Sequence, residues 1–464
     1  METSIYATFR TLIMWLKKEL FKRFTKFAAH FEEQVERLPA AKEMMRVLLV
    51  NTSEKTGGAA IAARRLKDAL NDNGAKARLL VAEKRTNDPS VGDLGNRTLH
   101  RLNFLLERSE VWRNNGFKRE GLFDVDTGSY GSDITSHPWF TESDVIHLHW
   151  VNQGMLSLKD IWKIARSGKR VVWTMHDMWP FTGICHYARS CSKFKERCYC
   201  CPLLRKSGPR DLAARVYERK ERLYQRANIF FVACSEWLQN EAKDSSLLGA
   251  KGIINIPNAI DSNLYRPRPK PEIRAELKLP EQGWLLLFNA FKVTAHIKGI
   301  DLLEDACRIL DSHHPELRDK IGIILAGQGA EEVKGKLTYR TYDFGYTEDE
   351  RKMAALYNAA DVLVMPSRKD NLPNTIVEAM TSGVPCVATA VGGIPQMIEH
   401  MKNGYLAKPG NPDDIARGIE FLLLHPQKGM VDTLARGFAI SHYSEHSVAT
   451  KYMDLYEKTA DMNL

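Results

Sequence analysis

The stretch MRVLLVNTSEKTGGAAIAARRLKDALNDNG, residues 45–74, indicates how this chain of 464 residues folds. Its first seven residues are mostly aliphatic and do not alternate with polar ones, which predicts a buried β-strand. A turn with two glycines follows, and the alanine-rich run after the turn predicts a helix that stops at Gly74. A strand, a turn and a helix in this order form the repeating unit of parallel α/β folds.

Short aliphatic runs of the same kind recur on both sides of a proline-rich interval. They are ARLLVA (77–82), DVIHLHW (144–150), KRVVWTMHD (169–177), NIFFVAC (228–234) and GIINIPNAID (252–261), then WLLLFNA (284–290), IGIILAGQG (321–329), TYDFGY (341–346), DVLVMPS (361–367) and PCVATAVGG (385–393). Helical stretches separate most of them, as expected for β-α-β connections. We therefore predict the fold class α/β, with two tandem Rossmann-like, doubly wound domains that face a cleft.

The proline-rich interval, residues 265–283, predicts the boundary between the two domains. We place the first domain at residues 45–262 and the second at 263–440. Residues 441–464 are expected to form a C-terminal helix that packs back on the first domain. Glycine turns and helix N-termini would line the cleft, and their backbone N–H groups suit a nucleotide diphosphate.

The composition is that of an ordinary globular protein, with 44% hydrophobic and 27% charged residues. No run approaches 18 uninterrupted apolar residues, so no membrane-crossing helix is predicted. The chain has 66 Lys+Arg and 57 Asp+Glu, a net charge of +9. Two regions account for this excess: residues 1–30, with six basic and two acidic side chains, and residues 185–226, with twelve basic and four acidic ones.

Residues 1–44 predict a basic amphipathic helical extension. Large apolar side chains recur every three or four residues from Phe9 to Phe31, and lysines occupy the other side. Such a helix can lie on an anionic membrane surface, or it can pack on its own protein or on a partner subunit. The apolar run TLIMWL is too short for a secretory signal and is followed at once by lysines. We expect a cytoplasmic protein, peripheral on the inner face of the cell membrane.

Five of the eight cysteines lie between residues 185 and 201. Without an export signal the compartment is expected to be reducing, so a metal site is favoured over disulfides. Four thiolates, from Cys185, Cys191, Cys198 and Cys201, could bind a structural zinc tetrahedrally, and His186 or Cys200 could replace one of them. The alternative is a loop of reduced thiols.

The string PSRKDNLPNTIVEAMTSGVPCVATAVGGIPQMI, residues 366–398, resembles the donor-binding core of the retaining GT-B glycosyltransferases of family 4. That family carries two acidic residues separated by seven positions, here Asp370 and Glu378; the first is usually Glu, and this chain has the shorter Asp. Further matches are NAIDSNLYRP (258–267), KGIDLLEDA (298–306), LAGQG (325–329) and NGYLAKPGNPDDIA (403–416). The resemblance covers about residues 45–460.

The N-terminal half is similar to a narrower group. The strings TSEKTGGAAIAARRL (52–66), HLHWVNQGMLSL (147–158) and WTMHDMWPFTGICHY (173–187), with the cysteine-rich loop, resemble bacterial glycosyltransferases of the colanic-acid and exopolysaccharide type. The resemblance implies transfer of a sugar from a nucleotide-sugar donor, which we expect to be a UDP- or GDP-sugar. We expect a growing cell-surface polysaccharide or a lipid-linked glycan as the acceptor, although the resemblance does not identify it.

The resemblance also implies roles for individual residues. Lys298 matches the family's phosphate-contacting lysine; the family's partner arginine is missing, and Asn289 or Lys292 stands nearby. Asp370 matches the acid that faces the hydroxyls of the donor sugar. Glu378 matches the acid that accepts hydrogen bonds from the ribose hydroxyls.

His176 matches a histidine that faces the transferred sugar, and with Asp370 and Glu378 it completes the candidate catalytic set. Further residues implied at the donor site are Gly57, Gly58, Lys292, Gly327, Asn371 and Leu372. His147 and His149 alternate on a buried strand, and we interpret them as structural.

The chemistry to be catalysed is the departure of a nucleoside diphosphate, which fixed cations and N–H dipoles stabilise. No DxD motif precedes the cleft in the manner of metal-dependent transferases, so no catalytic metal is expected, and no P-loop supports ATPase chemistry. The alternatives are a nucleotide-sugar epimerase or a phosphorylase of similar fold, or a non-catalytic basic binding protein. Nucleic acid is not an expected partner, because the basic residues cluster near the acceptor half rather than along a groove with aromatics.

Overall fold

Two parallel β-sheets form the framework of the computed structural model, which describes residues 44–461. The strands of the first sheet are β1 (Arg46–Val50), β2 (Lys76–Val81), β3 (Val91–Asp93), β4 (Val145–Leu148), β5 (Arg170–Met175), β6 (Phe230–Ala233) and β7 (Ile253–Asn255). Those of the second sheet are β8 (Trp284–Lys292), β9 (Ile321–Gln328), β10 (Arg340–Asp343), β11 (Val362–Met365), β12 (Cys386–Thr389) and β13 (Gly404–Ala407). The fold class is confirmed.

Helices connect the strands in both halves. In the first domain they are α1 (Gly58–Asp72), α2 (Arg97–Asn114), α3 (Pro138–Glu142), α4 (Leu158–Ala165), α5 (Leu212–Arg226) and α6 (Glu236–Lys243). The second half has α7 (Lys270–Glu276), α8 (Ile300–His313), α9 (Glu350–Ala359), α10 (Asn374–Thr381), α11 (Pro412–Leu424), α12 (Lys428–Tyr443) and α13 (Glu445–Asp461).

The strand order places a topological switch point in each sheet. The first sheet has the order β3-β2-β1-β4-β5-β6-β7 and the second the order β10-β9-β8-β11-β12-β13, with every pair parallel. In each sheet the first strand of the domain, β1 or β8, has the next strand on one side and a later strand on the other. Ligands of open α/β sheets bind beyond the carboxyl ends of the strands at such points.

The central strands are buried along nearly their whole length because helices cover both faces of each sheet. Leu48, Leu49 and Val50 of β1 are fully buried, as are Leu286 and Leu287 of β8. Strands covered on both faces have continuous aliphatic runs rather than alternating ones, which is the pattern seen in the sequence. Two short strands, β3 and β13, were not predicted, since three or four residues with a glycine give little pattern.

The final helix α13 packs on the first domain. Val448, Ala449 and Tyr452 share a buried apolar cluster with side chains of β1 and α1. The hydroxyl of Tyr456 lies 2.7 Å from Nδ1 of His147 on β4. The chain therefore returns to its first sheet after completing the second.

Two further predictions concern helices: the N-terminal extension and the absence of a membrane-crossing helix. The N-terminal helical extension lies outside the described residues. Between residues 44 and 461, no helix is long and apolar enough to cross a membrane.

Candidate active site

The candidate residues lie at the carboxyl ends of strands from both sheets. Gly57 and Gly58 follow β1 and begin α1, whereas His176 directly follows β5. Lys298 ends a short 3-10 turn after β8, and Asp370 lies in the loop from β11 to α10. The switch points of the two sheets thus bring these segments together.

Two helices begin where the domains meet. The side-chain amide of Asn374, the first residue of α10, lies 3.4 Å from the carbonyl oxygen of Gly58, the first residue of α1. Asn258 donates a hydrogen bond of 3.2 Å to the side-chain oxygen of Asn374. Because helix N-termini carry unpaired N–H groups and partial positive charge, this junction favours a bound anion.

Lys298 and Asp370 form an ion pair beside this junction. The distance from Nζ of Lys298 to Oδ2 of Asp370 is 2.6 Å, and both side chains are partly exposed. Gly299 has a φ of +73°, and a Cβ there would lie 2.1 Å from the carbonyl oxygen of Pro366. Only glycine therefore permits the turn that holds Lys298 against the β11–α10 loop. An ammonium has three donors, so Lys298 can contact an anion while it keeps Asp370.

The loop after Asp370 is held by both domains. The side-chain amide nitrogen of Asn371 donates to the carbonyl oxygen of His176 at 2.9 Å, and its side-chain oxygen accepts from the hydroxyl of Ser235. Gly392 has a φ of +55°, and a Cβ there would come within 1.7 Å of the carbonyl oxygen of Asp370. Leu372 is buried. The loop therefore has little freedom to move without the domains moving.

Both carboxylate oxygens of Glu378 have partners. Tyr357 donates its hydroxyl hydrogen to Oε2 at 2.7 Å, and Nη2 of Arg65 lies 2.8 Å from Oε1. Asn289 donates to the hydroxyl oxygen of Tyr357 at 3.0 Å. A carboxylate has about four lone-pair sites, so these two bonds leave acceptor capacity on Glu378.

Arg65 comes from helix α1 of the opposite domain. It also contacts Oε1 of Glu350 at 2.7 Å and the hydroxyl of Tyr265 at 3.1 Å. Burial alone would lower the pKa of Arg65, but Glu378, Tyr265 and Glu350 outweigh burial and raise it. Glu350 also pairs with Arg64, and these two arginines hold its pKa below the usual value against the effect of burial. Buried opposite charges thus join the two domains.

Three histidines of the first domain, at or just after strands β4 and β5, lie next to one another. Nδ1 of His149 lies 3.0 Å from Nε2 of His176, and Nε2 of His147 lies 2.8 Å from the hydroxyl of Thr174. Burial lowers the pKa of His147 to about 3 and that of His176 to about 4, the latter opposed only in part by Asp177. These imidazoles are therefore neutral near pH 7. His149 contacts the candidate catalytic histidine directly.

The surroundings of His186 have the opposite effect on its pKa. Its Nε2 lies 2.7 Å from Asp126 and its Nδ1 lies 2.7 Å from Asp177. Burial would lower the pKa of His186, but the two aspartates raise it to about 10. Trp150 donates its indole N–H to Asp177 at 2.9 Å. His186 is thus held between two carboxylates, which favour its protonated form.

The four cysteines proposed as zinc ligands converge on one small cavity of about 20 Å³. The backbone N–H of Gly183 donates to Sγ of Cys198 at 3.2 Å, and burial raises the pKa of Cys198 and of Cys201 to about 12. Among residues 44–461, no three or more His, Cys, Asp or Glu side chains are grouped so that they would hold a metal ion. The structural zinc stays a prediction, as does the expectation of no catalytic metal.

The structure brings most of the predicted donor-site residues together. Lys298 pairs with Asp370, whose carboxylate also accepts from the backbone N–H of Asn371, whereas Lys292 is exposed at the end of β8. Gly327 lies near the end of β9, where its N–H donates to the carbonyl oxygen of Gly345 at 2.8 Å.

Three residues at the site were not predicted: Arg65, Tyr357 and Glu350. A signal for Arg65 was present in the sequence, since it shares the buried stripe of α1 with Ala62, Leu66 and Ala69. An arginine at such a position requires a buried partner. The partner itself is 313 residues away along the chain, and no local pattern indicates it.

Comparison with known proteins agrees with this geometry. Residues 285–425 match the family described as "Glycosyl transferases group 1". The putative colanic acid biosynthesis glycosyl transferase WcaC of Escherichia coli K12 is 28% identical over 260 residues, which cover 53% of this chain and 59% of that protein. D-inositol 3-phosphate glycosyltransferase of Streptomyces bingchenggensis is 32% identical over 199 residues, 39% of this chain and 42% of that protein. The chain spans about half the length of the curated relatives it matches.

Solved structures share the two-domain arrangement. Sucrose-phosphate synthase of Thermosynechococcus elongatus has a TM-score of 0.64 at 18% identity and covers 90% of this chain and 100% of its own. Anabaena HepE in complex with UDP has a TM-score of 0.58 at 18% identity, with 89% and 100% covered. The architecture of this protein is that of the GT-B glycosyltransferases. The match to the group 1 glycosyltransferase family covers residues 285–425, which lie in the second half of the chain.

Proposed function

We propose that the protein is a retaining glycosyltransferase of family 4 that uses a UDP- or GDP-sugar. One observation carries the proposal: the first residues of α1 and α10 meet at Gly58 and Asn374, beside the ion pair of Lys298 and Asp370. Two helix N-termini and an ammonium at one point suit the diphosphate of such a donor. The HepE structures, solved with UDP and with UDP-glucose, support the choice of donor class.

In the proposed reaction an acceptor hydroxyl attacks the anomeric carbon on the face from which the diphosphate leaves. The bond from that carbon to the phosphate oxygen breaks, its electron pair stays on the diphosphate, and the diphosphate takes the proton of the acceptor hydroxyl. Lys298 and the two helix N-termini stabilise the charge that develops on the leaving group. Glu378 accepts hydrogen bonds from the ribose.

His176 and Asp370 position the donor sugar in this proposal. Nε2 of His176 is held by His149, so Nδ1 is the nitrogen that would meet a sugar hydroxyl. Because the ring is neutral, it adds no positive charge that would compete with the diphosphate for its position. Asp370 accepts from sugar hydroxyls while it stays paired with Lys298.

We propose a growing cell-surface polysaccharide or a lipid-linked glycan as the acceptor. The name of the colanic acid relative and the similarity of the N-terminal motifs support this choice. A cytoplasmic location on the inner face of the membrane would bring the enzyme to such an acceptor. The basic sequence of residues 1–30 supports attachment there.

A donor panel tests the proposal. The full chain is incubated with UDP- and GDP-sugars, and the nucleoside diphosphate released and the anomeric configuration of the product are measured. We expect release from at least one donor, with retained configuration, and a fall on the order of 100-fold for Lys298→Ala. Lys320→Ala, an exposed lysine of the same domain, is the matched control and should keep full activity.

Each contrary outcome of the panel has a definite meaning. An inverted product would contradict the retaining mechanism. Isomerisation of the donor at position 2 would indicate an epimerase. Absence of binding for every donor would favour the non-catalytic alternative.

A further inference from the structure

His149 and His176 directly follow two adjacent strands, β4 and β5, and their rings share one hydrogen bond. Nδ1 of His149 lies 3.0 Å from Nε2 of His176, and the ring centres are 5.3 Å apart. Burial lowers the pKa of both rings, so each is neutral near pH 7. A neutral imidazole has one N–H donor and one acceptor nitrogen. One of the two nitrogens in this contact therefore donates and the other accepts.

The second nitrogen of His149 decides which one donates. Nε2 of His149 is buried and has no hydrogen-bond partner in the described part of the chain. His147, whose ring centre is 4.3 Å away, uses both of its nitrogens on Tyr456 and Thr174 and offers no partner. Buried backbone N–H groups are left unpaired less often than buried carbonyl oxygens, and the same preference places a lone pair on Nε2 of His149. Its hydrogen then lies on Nδ1, which donates to Nε2 of His176.

This direction determines the tautomer of His176. Because Nε2 of His176 accepts, the one hydrogen of the ring lies on Nδ1. The side chain is partly exposed, and none of the residues between 44 and 461 forms a hydrogen bond with this nitrogen. The side-chain amide of Asn371 holds the carbonyl oxygen of His176 at 2.9 Å, which fixes the backbone that carries the ring. Nδ1 of His176 is thus an N–H donor that is left for a ligand.

We propose that His149 is a positioning residue that keeps His176 in the Nδ1–H form, so that His176 donates a hydrogen bond to an oxygen of the transferred sugar. A nitrogen that carries hydrogen has no lone pair for the proton of the acceptor hydroxyl, so His176 is not the base of the reaction. That proton goes to the departing diphosphate. The contact with sugar rests on the proposed function, whereas the tautomer does not.

Nitrogen NMR of the full chain, labelled on its histidine rings, tests the tautomer. Protonated and unprotonated ring nitrogens differ in chemical shift, and the signals of His176 are assigned by their loss in His176→Gln. We expect hydrogen on Nδ1 and a lone pair on Nε2 of His176. Hydrogen on Nε2 would overturn the proposal, whether or not the protein transfers sugar.

Two substitutions of His149 test its effect on turnover. His149→Leu removes the donor to His176, so the preference for hydrogen on Nδ1 should disappear, and kcat for release of nucleoside diphosphate should fall at least about tenfold. His149→Asn places an amide N–H near the position of Nδ1 and should restore most of the lost turnover. His313→Leu, at an exposed histidine that ends α8, is the matched control and should keep full activity.

The outcomes separate this proposal from the proposed function. Unchanged kcat in His149→Leu, or equal losses in the Leu and Asn variants, would contradict the positioning role, because the donated hydrogen bond would then not matter for turnover. Absence of turnover in the unmodified chain with every donor would contradict the proposed function. The NMR measurement would still decide whether His149 sets the tautomer of His176.

Discussion

The two walls of the cleft, one from each domain, differ in the charge of their side chains. On the wall of the second domain, opposite charges are in contact: Lys298 with Asp370 at 2.6 Å, and Arg65, which crosses from the first domain, with Glu378 at 2.8 Å. On the wall of the first domain, His149 and His176 contact each other as neutral rings because burial lowers the pKa of each.

The difference follows from what each wall provides to offset the cost of burying a charge. A buried charge needs a partner, and the second wall provides one for each of these groups. The histidines have hydroxyl and imidazole neighbours, so they lose their proton instead. A donor that is anionic at one end and neutral at the other matches this division.

The largest effect is expected at Glu378. Glu378→Gln keeps an acceptor for Tyr357 but removes the charge that faces Arg65, so we expect donor turnover to fall on the order of 1,000-fold. The matched control is Glu350→Gln, which removes the other carboxylate in contact with Arg65. Release of nucleoside diphosphate measures both. Equal losses in the two variants would mean that Glu378 acts only through the ion pair.

The next effect concerns stability. Arg65→Met leaves Glu378 and Glu350 without their shared buried cation, and we expect the free energy of unfolding to fall by about 3 kcal/mol. Arg64 is the matched control: it pairs with the same Glu350 but its side chain is 26% exposed, so Arg64→Met should cost less than about 1 kcal/mol. Urea denaturation followed by circular dichroism distinguishes them. A cost for Arg64→Met as large as for Arg65→Met would show that burial does not set the difference.

The sequence indicated one of the two ion pairs much better than the other. Lys298 and Asp370 were both expected at the donor site, because both lie in motifs that resemble those of the family and both follow strands of one sheet. The pairing of Arg65 with Glu378 was not predicted, since it depends on how two separately folded domains approach each other.

The same reasoning explains which parts of the fold the sequence predicted. Aliphatic runs such as MRVLLVN predicted the long buried strands, because burial on both faces leaves a clear pattern. The charge of His186 had no such signal: Asp126, one of its two partners, lies 60 residues earlier in a segment with no strand or helix. The environment of a titratable group is set by packing, which local periodicity does not contain.

The smallest effect per step of the measurement is expected from pH, which distinguishes the two kinds of histidine. The folded-state pKa of His186, about 10, lies above its ordinary 6.5, so its contribution to stability is complete below pH 6.5 and is lost as pH rises toward 10. His176, with a pKa lowered to about 4, contributes stability above pH 6.5 that is lost as pH falls toward 4. Near pH 8 the loss due to His186 should be about 1 kcal/mol per pH unit in urea denaturation. His186→Gln should flatten this alkaline limb, because the imidazole that titrates there is gone. An alkaline limb of undiminished slope in the variant would mean that the two aspartates do not hold a proton on His186.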